Sequence, residues 1–386
     1  MLVGSLSRRL CAGVVALALI LTACTSSSAS PAGSVSPATS APSGSNAPAN
    51  AGVPAPASAQ VTVTGAGATF PKPLYDVWFQ TYTQQYGNVQ FNYQAIGSGG
   101  GIKGITEQTV DFGASDAAMK DDELAKLPAG SAMLHIPTAL GAVVVIYNLP
   151  GVTDLKLDGE TVGSIYAGKI SKWNDPKIAA LNSGVTLPAS SILVVHRSDG
   201  SGTTNAFTAY LNTASTDWKA TGAGAGKDVK WPVGQGAEKN DGVAAGVKNT
   251  PGAIGYVELQ YATQANLTSA KLKNADGNFV AGSTAGVTAA ANAALANFPA
   301  DSRQAPIING PGADTYPIAS YTYLLVYRDQ KDKDKGTDLV SFLAWALTDG
   351  QGIEEGLGFA PLPAGVQQKA IAAVHTITTG GASIWP

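Results

Sequence analysis

"VVHRSDGSGTTNAFTAYL", residues 194 to 211, predicts a strand, a glycine-rich turn and a helix in direct succession. β-branched residues favour the strand, and the glycines allow the tight turn. The same order recurs at "GAGATFPKPLYDVW", residues 65 to 78, and at "VQFNYQAIGSGGGIKG", residues 89 to 104. Because strands alternate with helices along most of the chain, the sequence predicts an α/β fold with a mostly parallel core.

Two further segments predict strands in the interior of that core. "AVVVIYN", residues 142 to 148, and "YTYLLVYRD", residues 321 to 329, are nearly continuous runs of apolar and β-branched residues. Such runs are typical of strands that are buried on both faces. We therefore expect these two strands to lie in the middle of the molecule.

Three strand-to-helix junctions share one chemistry. "GAGATFPKP" (65 to 73), "IGSGGGIKG" (96 to 104) and "RSDGSGTT" (197 to 204) each combine glycines with a hydroxyl residue near a predicted helix start. A helix N-terminus presents unpaired backbone N–H groups and a positive dipole end, which favour an anion. A single junction of this kind is most often only a cap and a turn. Three of them, together with Arg197, predict a site for a small anion.

Other chemistries fit the sequence less well. "GGGIKG" (99 to 104) matches a dinucleotide fingerprint only formally, and "GAGAGKD" (222 to 228) lacks the phosphate-loop spacing. The three histidines have no ligand-like neighbours, so we expect no metal and no cofactor. His196, Asp199 and Ser201 are the residue types of a catalytic triad, but triads are assembled from separated segments. We therefore expect a binding protein rather than an enzyme.

The N-terminal segment predicts export. Arg8 and Arg9 precede the uncharged run "LCAGVVALALILTA", which is too short for a membrane anchor and predicts a signal peptide over residues 1 to 23. "LTAC" resembles a lipobox, so Cys24 is the expected lipidation site. Residues 24 to 60 are rich in Ser, Ala and Pro and predict a disordered tether. The folded body is expected from residue 61, anchored to the cell membrane by lipid and facing the periplasm or exterior.

The overall charge bears on possible partners. The chain has 24 Lys and Arg against 27 Asp and Glu, a formal net charge of −3. A nucleic-acid partner is disfavoured because a phosphate backbone requires a basic face. A small anion is still possible, because its binding depends on local donors. The length of the body favours two domains or one domain with a large insertion.

Several blocks of the chain resemble one known family. They include "GAGATFPKPLYDVW", "YQAIGSGGG", "TVDFGASDAAM", "HRSDGSGTTNAFTAYL" and "VKWPVGQGAEKNDGVAAGV". In this order they resemble the phosphate-binding protein of the bacterial ABC-type phosphate importer. The resemblance implies a type II periplasmic binding protein, with two α/β lobes joined by a two-crossover hinge. We expect lobe 1 over 61 to 143 and 320 to 386 and lobe 2 over 144 to 319; residues 263 to 314 resemble the family least.

The resemblance also implies the site and its partners. A bound phosphate would contact eight residues: Thr69, Phe70 (through its backbone N–H), Ser98, Asp116, Arg197, Ser201, Gly202 and Thr203. Asp199 would orient Arg197 without touching the ligand. The protein would act as a monomer and deliver inorganic phosphate to an ABC permease complex in the membrane.

The carboxylate of Asp116 bears on which anion the site prefers. Near neutral pH phosphate keeps at least one proton, which Asp116 can accept, whereas sulfate has none. An unpaired carboxylate against a sulfate oxygen in a dry site costs a few kcal/mol. Phosphate is therefore favoured over the alternatives that the residues leave open: another oxyanion such as sulfate or molybdate and, less favoured, a phosphoesterase activity.

Overall fold

The computed structural model describes residues 54 to 385. The predicted signal peptide, Cys24 and most of the predicted tether lie outside the described residues. Within residues 54 to 385, no helix is both long and apolar enough to span a bilayer.

The strands of the described residues follow one another along the chain as β1 Val61–Gly67, β2 Val89–Ala95, β3 Phe112–Ser115, β4 Met133–Tyr147, β5 Lys156–Leu157, β6 Leu193–Arg197, β7 Gln235–Ala237, β8 Ala253–Glu258, β9 Thr268–Ser269, β10 Lys271–Lys273, β11 Phe279–Val280, β12 Ile307–Ile308, β13 Ile318–Tyr327, β14 Asp329–Gln330, β15 Thr378–Thr379 and β16 Ala382–Ser383. The α-helices are α1 Lys72–Gln85, α2 Ser98–Thr106, α3 Asp121–Leu124, α4 Gly159–Tyr166, α5 Pro176–Leu181, α6 Gly202–Ala214, α7 Thr216–Ala220, α8 Lys239–Lys248, α9 Leu259–Gln264, α10 Thr284–Ala294, α11 Lys333–Ala346, α12 Gln351–Glu354 and α13 Ala364–Val374.

The main sheet has the strand order β2-β1-β3-β13-β4-β8-β6-β7. At one end β1 runs parallel to β2 and β3, and at the other β6 runs parallel to β7 and β8. In the middle, β13 is antiparallel to β3 and β4, and β4 is antiparallel to β8. The sheet is therefore mixed, and the expectation of a mostly parallel core was wrong for its centre. Two long strands that pass each other in opposite directions occupy that centre.

The strand β4 belongs to both halves of this sheet. Ala142 pairs with Ala319 of β13, whereas the next residue, Val143, pairs with Glu258 of β8. Every residue from His135 to Tyr147 is buried, as predicted for its central run. The two-lobe class expected from the sequence is confirmed, and this change of partner supports the proposed lobe boundary near residue 143.

Aromatic side chains pack the interior of each half. In the first half, Phe342 of α11 lies between Trp78 of α1 and Phe91 of β2. In the second half, Phe207 of α6 stacks on Tyr256 of β8 with ring centroids 4.2 Å apart. A fully buried side chain of this size contributes about 1.5–3 kcal/mol. This packing fixes the strand ends and helix starts from which the candidate site is built.

The chain before β1 lies against the first half. The backbone N–H of Ala57 donates to Asp338 Oδ1 at 2.7 Å, and Ser341 Oγ donates to the carbonyl of Pro54 at 2.7 Å. Both partners lie on α11. The predicted tether extended to residue 60, so its last residues are held by the body, while the rest of it lies outside the described residues.

Candidate anion-binding site

Three predicted site residues from distant parts of the chain lie in contact around Ser98 Oγ: Ser98 itself, Asp116 and Gly202. Ser98 Oγ accepts a hydrogen bond from the backbone N–H of Gly202 at 3.1 Å and from that of Asp116 at 3.2 Å. The same oxygen lies 3.3 Å from Asp116 Oδ2. The starts of α2 and α6 and the end of β3 therefore converge on one buried point, as helix starts and strand ends do in open α/β sheets.

Close packing explains the glycines around this point. We expected "GGGIKGITEQ", residues 99 to 108, to form a loop that opens a helix, but α2 begins at Ser98 and includes these glycines. A Cβ on Gly101 would lie 2.4 Å from the carbonyl oxygen of Ala114, and one on Gly202 would lie 2.5 Å from the Cβ of Asp116. The glycines therefore let helix starts approach the strand end and Asp116, and Gly97, before α2, has a positive φ of 88°.

Arg197 is buried at the end of β6 and is held by Asp199. Its Nε donates to Asp199 Oδ1 at 2.7 Å, and its Nη2 donates to Oδ2. The backbone N–H of Lys239 also donates to Asp199, at 2.9 Å. Burial raises the pKa of Asp199, but the hydrogen bonds and charge of Arg197 outweigh this and lower it below its usual value. The predicted bracing role of Asp199 therefore has the contacts it needs.

One nitrogen of this guanidinium is available to a ligand. Arg197 Nη1 is buried and has no hydrogen-bond partner among the residues that the structure describes. A buried cationic donor without a partner costs free energy, because its hydration is lost without replacement. An oxyanion that accepted from Nη1 would satisfy both the charge and the donor.

The carboxyl group of Asp116 lies in a contrasting environment. Asp116 is buried, and Thr322 Oγ1 donates to its Oδ1 at 2.9 Å. Burial raises the pKa of Asp116 to about 7, while the hydrogen bond from Thr322 and the charge of Arg197 act in the opposite direction. Near neutral pH this carboxyl can therefore either accept or donate a proton.

The remaining predicted residues lie at two helix starts. Thr69 and Phe70 lie in the turn before α1, which begins only at Lys72, and the ring of Phe70 is buried. Ser201 is the N-cap of α6, and its Oγ accepts from the backbone N–H of Thr204 at 3.0 Å. Because that bond uses Ser201 as an acceptor, its own proton stays available for donation.

Thr69 and Thr203 are joined by a residue that the sequence analysis did not single out. Asn240 Nδ2 donates to Thr69 Oγ1 at 2.9 Å and lies 3.4 Å from Thr203 Oγ1. Asn240 is fully buried in the first turn of α8. Its block, "GAEKNDGVAAGV", supported the family resemblance, but its spacing gave no sign of a contact with Thr69.

Two contacts connect the halves of the molecule across the site. The backbone N–H of Gly99 donates to the carbonyl of Gly200 at 2.8 Å. Lys227 Nζ forms an ion pair with Glu123 Oε1 at 2.6 Å, and both side chains are largely buried. Neither Lys227 nor Glu123 was predicted. These two contacts, together with the hydrogen bonds of Ser98 and Asn240, connect the two halves around the candidate site.

The alternative arrangement of a hydrolase is not formed. His196 Nδ1 lies 3.0 Å from the carbonyl oxygen of Arg197, and its ring stacks on Trp231 with centroids 4.8 Å apart. Ser201 Oγ is engaged with the start of α6. The imidazole is therefore committed to a stacking contact with Trp231, and Ser201 caps α6.

Two α/β lobes that bring hydroxyl groups, helix starts and a buried arginine to one point define a lobed binding protein with an anion site. A sequence model of the PBP superfamily domain matches residues 52–349. The phosphate-binding protein PstS of Pasteurella multocida is 44% identical over 84% of this chain and 93% of that relative. PstS of Haemophilus influenzae is 41% identical over 79% and 90%. The chain therefore belongs to the PBP superfamily and, within it, to the PstS phosphate-binding proteins.

Solved structures agree on the fold. The structure of a phosphate-binding protein from Stenotrophomonas maltophilia is similar with a TM-score of 0.65 at 23% identity, over 83% of this chain and 96% of that one. A high-affinity periplasmic phosphate-binding protein with bound phosphate also has a TM-score of 0.65, at 21% identity over 83% and 97%. The family resemblance and the fold class inferred from the sequence are confirmed.

Proposed function

We propose that this protein binds inorganic phosphate between its lobes and delivers it to an ABC importer. The observation that carries the proposal is the pairing of a buried, unpartnered Arg197 Nη1 with Asp116 at one site. The guanidinium supplies positive charge, and the carboxyl accepts the proton that phosphate retains near neutral pH. The names of the relatives support the same ligand.

In the proposed site, hydroxyl and backbone donors complete the cage. Thr69 and Ser98 of lobe 1 and Ser201 and Thr203 of lobe 2 would donate through hydroxyls. Phe70 would donate through its backbone N–H, and Gly202 through the N–H that here donates to Ser98 Oγ. Ligand contacts to both lobes would stabilise the closed form, as in other hinge-closing binding proteins.

Equilibrium titration of the purified protein with phosphate, sulfate and molybdate tests this proposal. We expect phosphate to bind at least about 100-fold more tightly than sulfate, which corresponds to about 3 kcal/mol. Equal affinity for phosphate and sulfate would show that Asp116 does not select the ligand. Hydrolysis of a phosphomonoester by the same preparation would favour an enzyme instead.

We also propose an extracytoplasmic location with a lipid on Cys24. The support is the sequence pattern of a signal peptide followed by a lipobox, together with the structural similarity to a periplasmic phosphate-binding protein. Mass spectrometry of the N-terminal peptide from the membrane fraction would identify the lipid. Cys24→Ser should move the protein to the soluble fraction. Phosphate affinity should not change, since the folded body supplies the site. The variant should also stay a monomer.

A further inference from the structure

We propose that Asn240 is a positioning residue that turns the hydroxyl protons of Thr69 and Thr203 toward the anion. This inference rests on the proposed function and names the device that prepares two of its donors. It starts from the contacts of the block "EKND", residues 238 to 241.

The orientation of the Asn240 amide is fixed by a group that can only donate. The backbone N–H of Glu258 lies 3.2 Å from Asn240 Oδ1, so the atom facing Glu258 must be the oxygen. The amino group must then face the opposite way, toward Thr69 Oγ1 at 2.9 Å and Thr203 Oγ1 at 3.4 Å. Full burial of Asn240 keeps bulk solvent away from these partners.

This orientation decides what the two hydroxyls do. A threonine hydroxyl carries one proton and accepts through its lone pairs. When an amide N–H occupies a lone pair, the proton of that hydroxyl points elsewhere and is available to an oxyanion. Without Asn240, each hydroxyl could instead donate its proton to a neighbouring carbonyl. Asn240 thus converts two groups that can donate or accept into committed donors.

The start of α8 also supports the cationic part of the site. Lys239 adopts a positive φ of 64°, which is uncommon for a residue with a side chain. In this conformation its backbone N–H donates to Asp199 Oδ1 at 2.9 Å, while the next residue reaches the threonines. A single turn of chain therefore orients both the brace of Arg197 and the hydroxyl donors.

Phosphate titrations of Asn240→Ala, alone and combined with Thr69→Val, test the role. Removing the amide from the native protein should weaken phosphate binding about 10-fold, the cost of one mispositioned hydrogen bond. In the Thr69→Val background, Asn240→Ala should reduce phosphate affinity by a clearly smaller factor, because one of the hydroxyls that Asn240 positions is already absent. Asn240→Asp should weaken binding more than Asn240→Ala, because a carboxylate would accept from the hydroxyls.

Asn182 provides a matched control. It is also a buried asparagine of the second half, and its amide bonds the backbone of Lys156 and Ile178. Asn182→Ala should lower the midpoint of thermal unfolding and leave phosphate affinity unchanged. A merely structural Asn240 would behave in the same way.

The outcomes separate this inference from the proposed function. Wild-type protein that fails to bind phosphate would overturn both. Wild-type binding combined with an unaffected Asn240→Ala variant would overturn the positioning role alone. An equal loss from Asn240→Ala in the native and Thr69→Val backgrounds would also overturn it, since the effect would then not pass through that hydroxyl.

Discussion

Asp116 and Asp199 are the same residue type at the ends of two strands of the candidate site, yet their environments are opposite. Asp199, after β6, accepts from Arg197 and from the backbone of Lys239, and its pKa is lowered. Asp116, after β3, is buried with one hydroxyl donor on Oδ1, and its pKa is raised to about 7. Burial raises the pKa of both carboxyl groups, and a directly bonded cation reverses that effect only at Asp199.

Under the proposed function, this difference would give the two carboxyl groups different tasks. A carboxylate whose oxygens are already occupied by a guanidinium can hold that cation in place but has little left for a ligand. A carboxyl that can change protonation near neutral pH can respond to whether the ligand carries a proton. The first task concerns affinity for any anion, and the second concerns the choice between anions.

The largest effect is expected from removing the cation that separates the two environments. Arg197→Ala should weaken phosphate binding by about 1,000-fold, because the buried anion loses its cationic partner and a charge-assisted donor, a change that typically costs about 2–5 kcal/mol of binding free energy. Isothermal titration measures this loss. Arg303→Ala removes the same charge from an arginine with a 31% exposed side chain paired with Asp121 and Asp301, and it should bind phosphate normally.

Asp116→Asn should relax the exclusion of sulfate. An amide can donate to a sulfate oxygen where an ionised carboxylate repels it, so the preference for phosphate over sulfate should fall by about 100-fold. The pH dependence checks the assignment. In the wild-type protein sulfate affinity should rise as pH falls through about 7, since Asp116 then gains a proton. In Asp116→Asn this rise should be absent, and its persistence would assign the titration to another group.

Asp199→Asn should weaken phosphate and sulfate binding equally. The change removes the negative charge beside Arg197, so the guanidinium is less well oriented, and an affinity loss of about 10-fold is expected for each anion. The measured ratio of the two affinities should stay at its wild-type value. A change in that ratio would contradict the division of tasks between Asp199 and Asp116.

The sequence predicted the parts of the molecule that local chemistry determines. The strand, glycine turn and helix around Arg197 were predicted correctly, and the predicted buried run forms the end of β4 as far as Tyr147. The structure also brings Ser98, Asp116 and Gly202 together as the family resemblance implied. Their contacts with phosphate stay predictions.

Features that depend on distant contacts could not be predicted in this way. Asn240 bonds Thr69 across 171 residues, and Glu123 meets Lys227 across 104. Nothing in the polar blocks around them distinguishes these contacts from ordinary surface charges. The glycines of α2 indicated a loop because glycine lowers helix propensity, whereas the close approach of α2 to β3 requires a glycine at position 101.

Asp338 extends the comparison to a carboxyl group held by the N-terminal segment. It is buried on α11, its Oδ1 accepts from Ala57, and burial raises its pKa to about 6, against the hydrogen bond from Ala57. A carboxyl with a raised pKa stabilises the fold below its unfolded pKa, and this contribution is lost as pH rises through about 6. The contribution of Asp338 to the free energy of unfolding of the wild-type protein should therefore fall between about pH 4 and pH 6.

Asp338→Asn keeps an acceptor for Ala57 but cannot ionise, so the variant should not lose this stability between about pH 4 and pH 6. Above about pH 6 the variant should be more stable by up to about 3 kcal/mol, the free-energy equivalent of the full pKa shift, because only the wild-type side chain must ionise in a buried position. Urea unfolding at two pH values measures the difference. Since α11 contributes no residue to the proposed cage, phosphate affinity should not change, and a change would indicate that the N-terminal segment is coupled to the site.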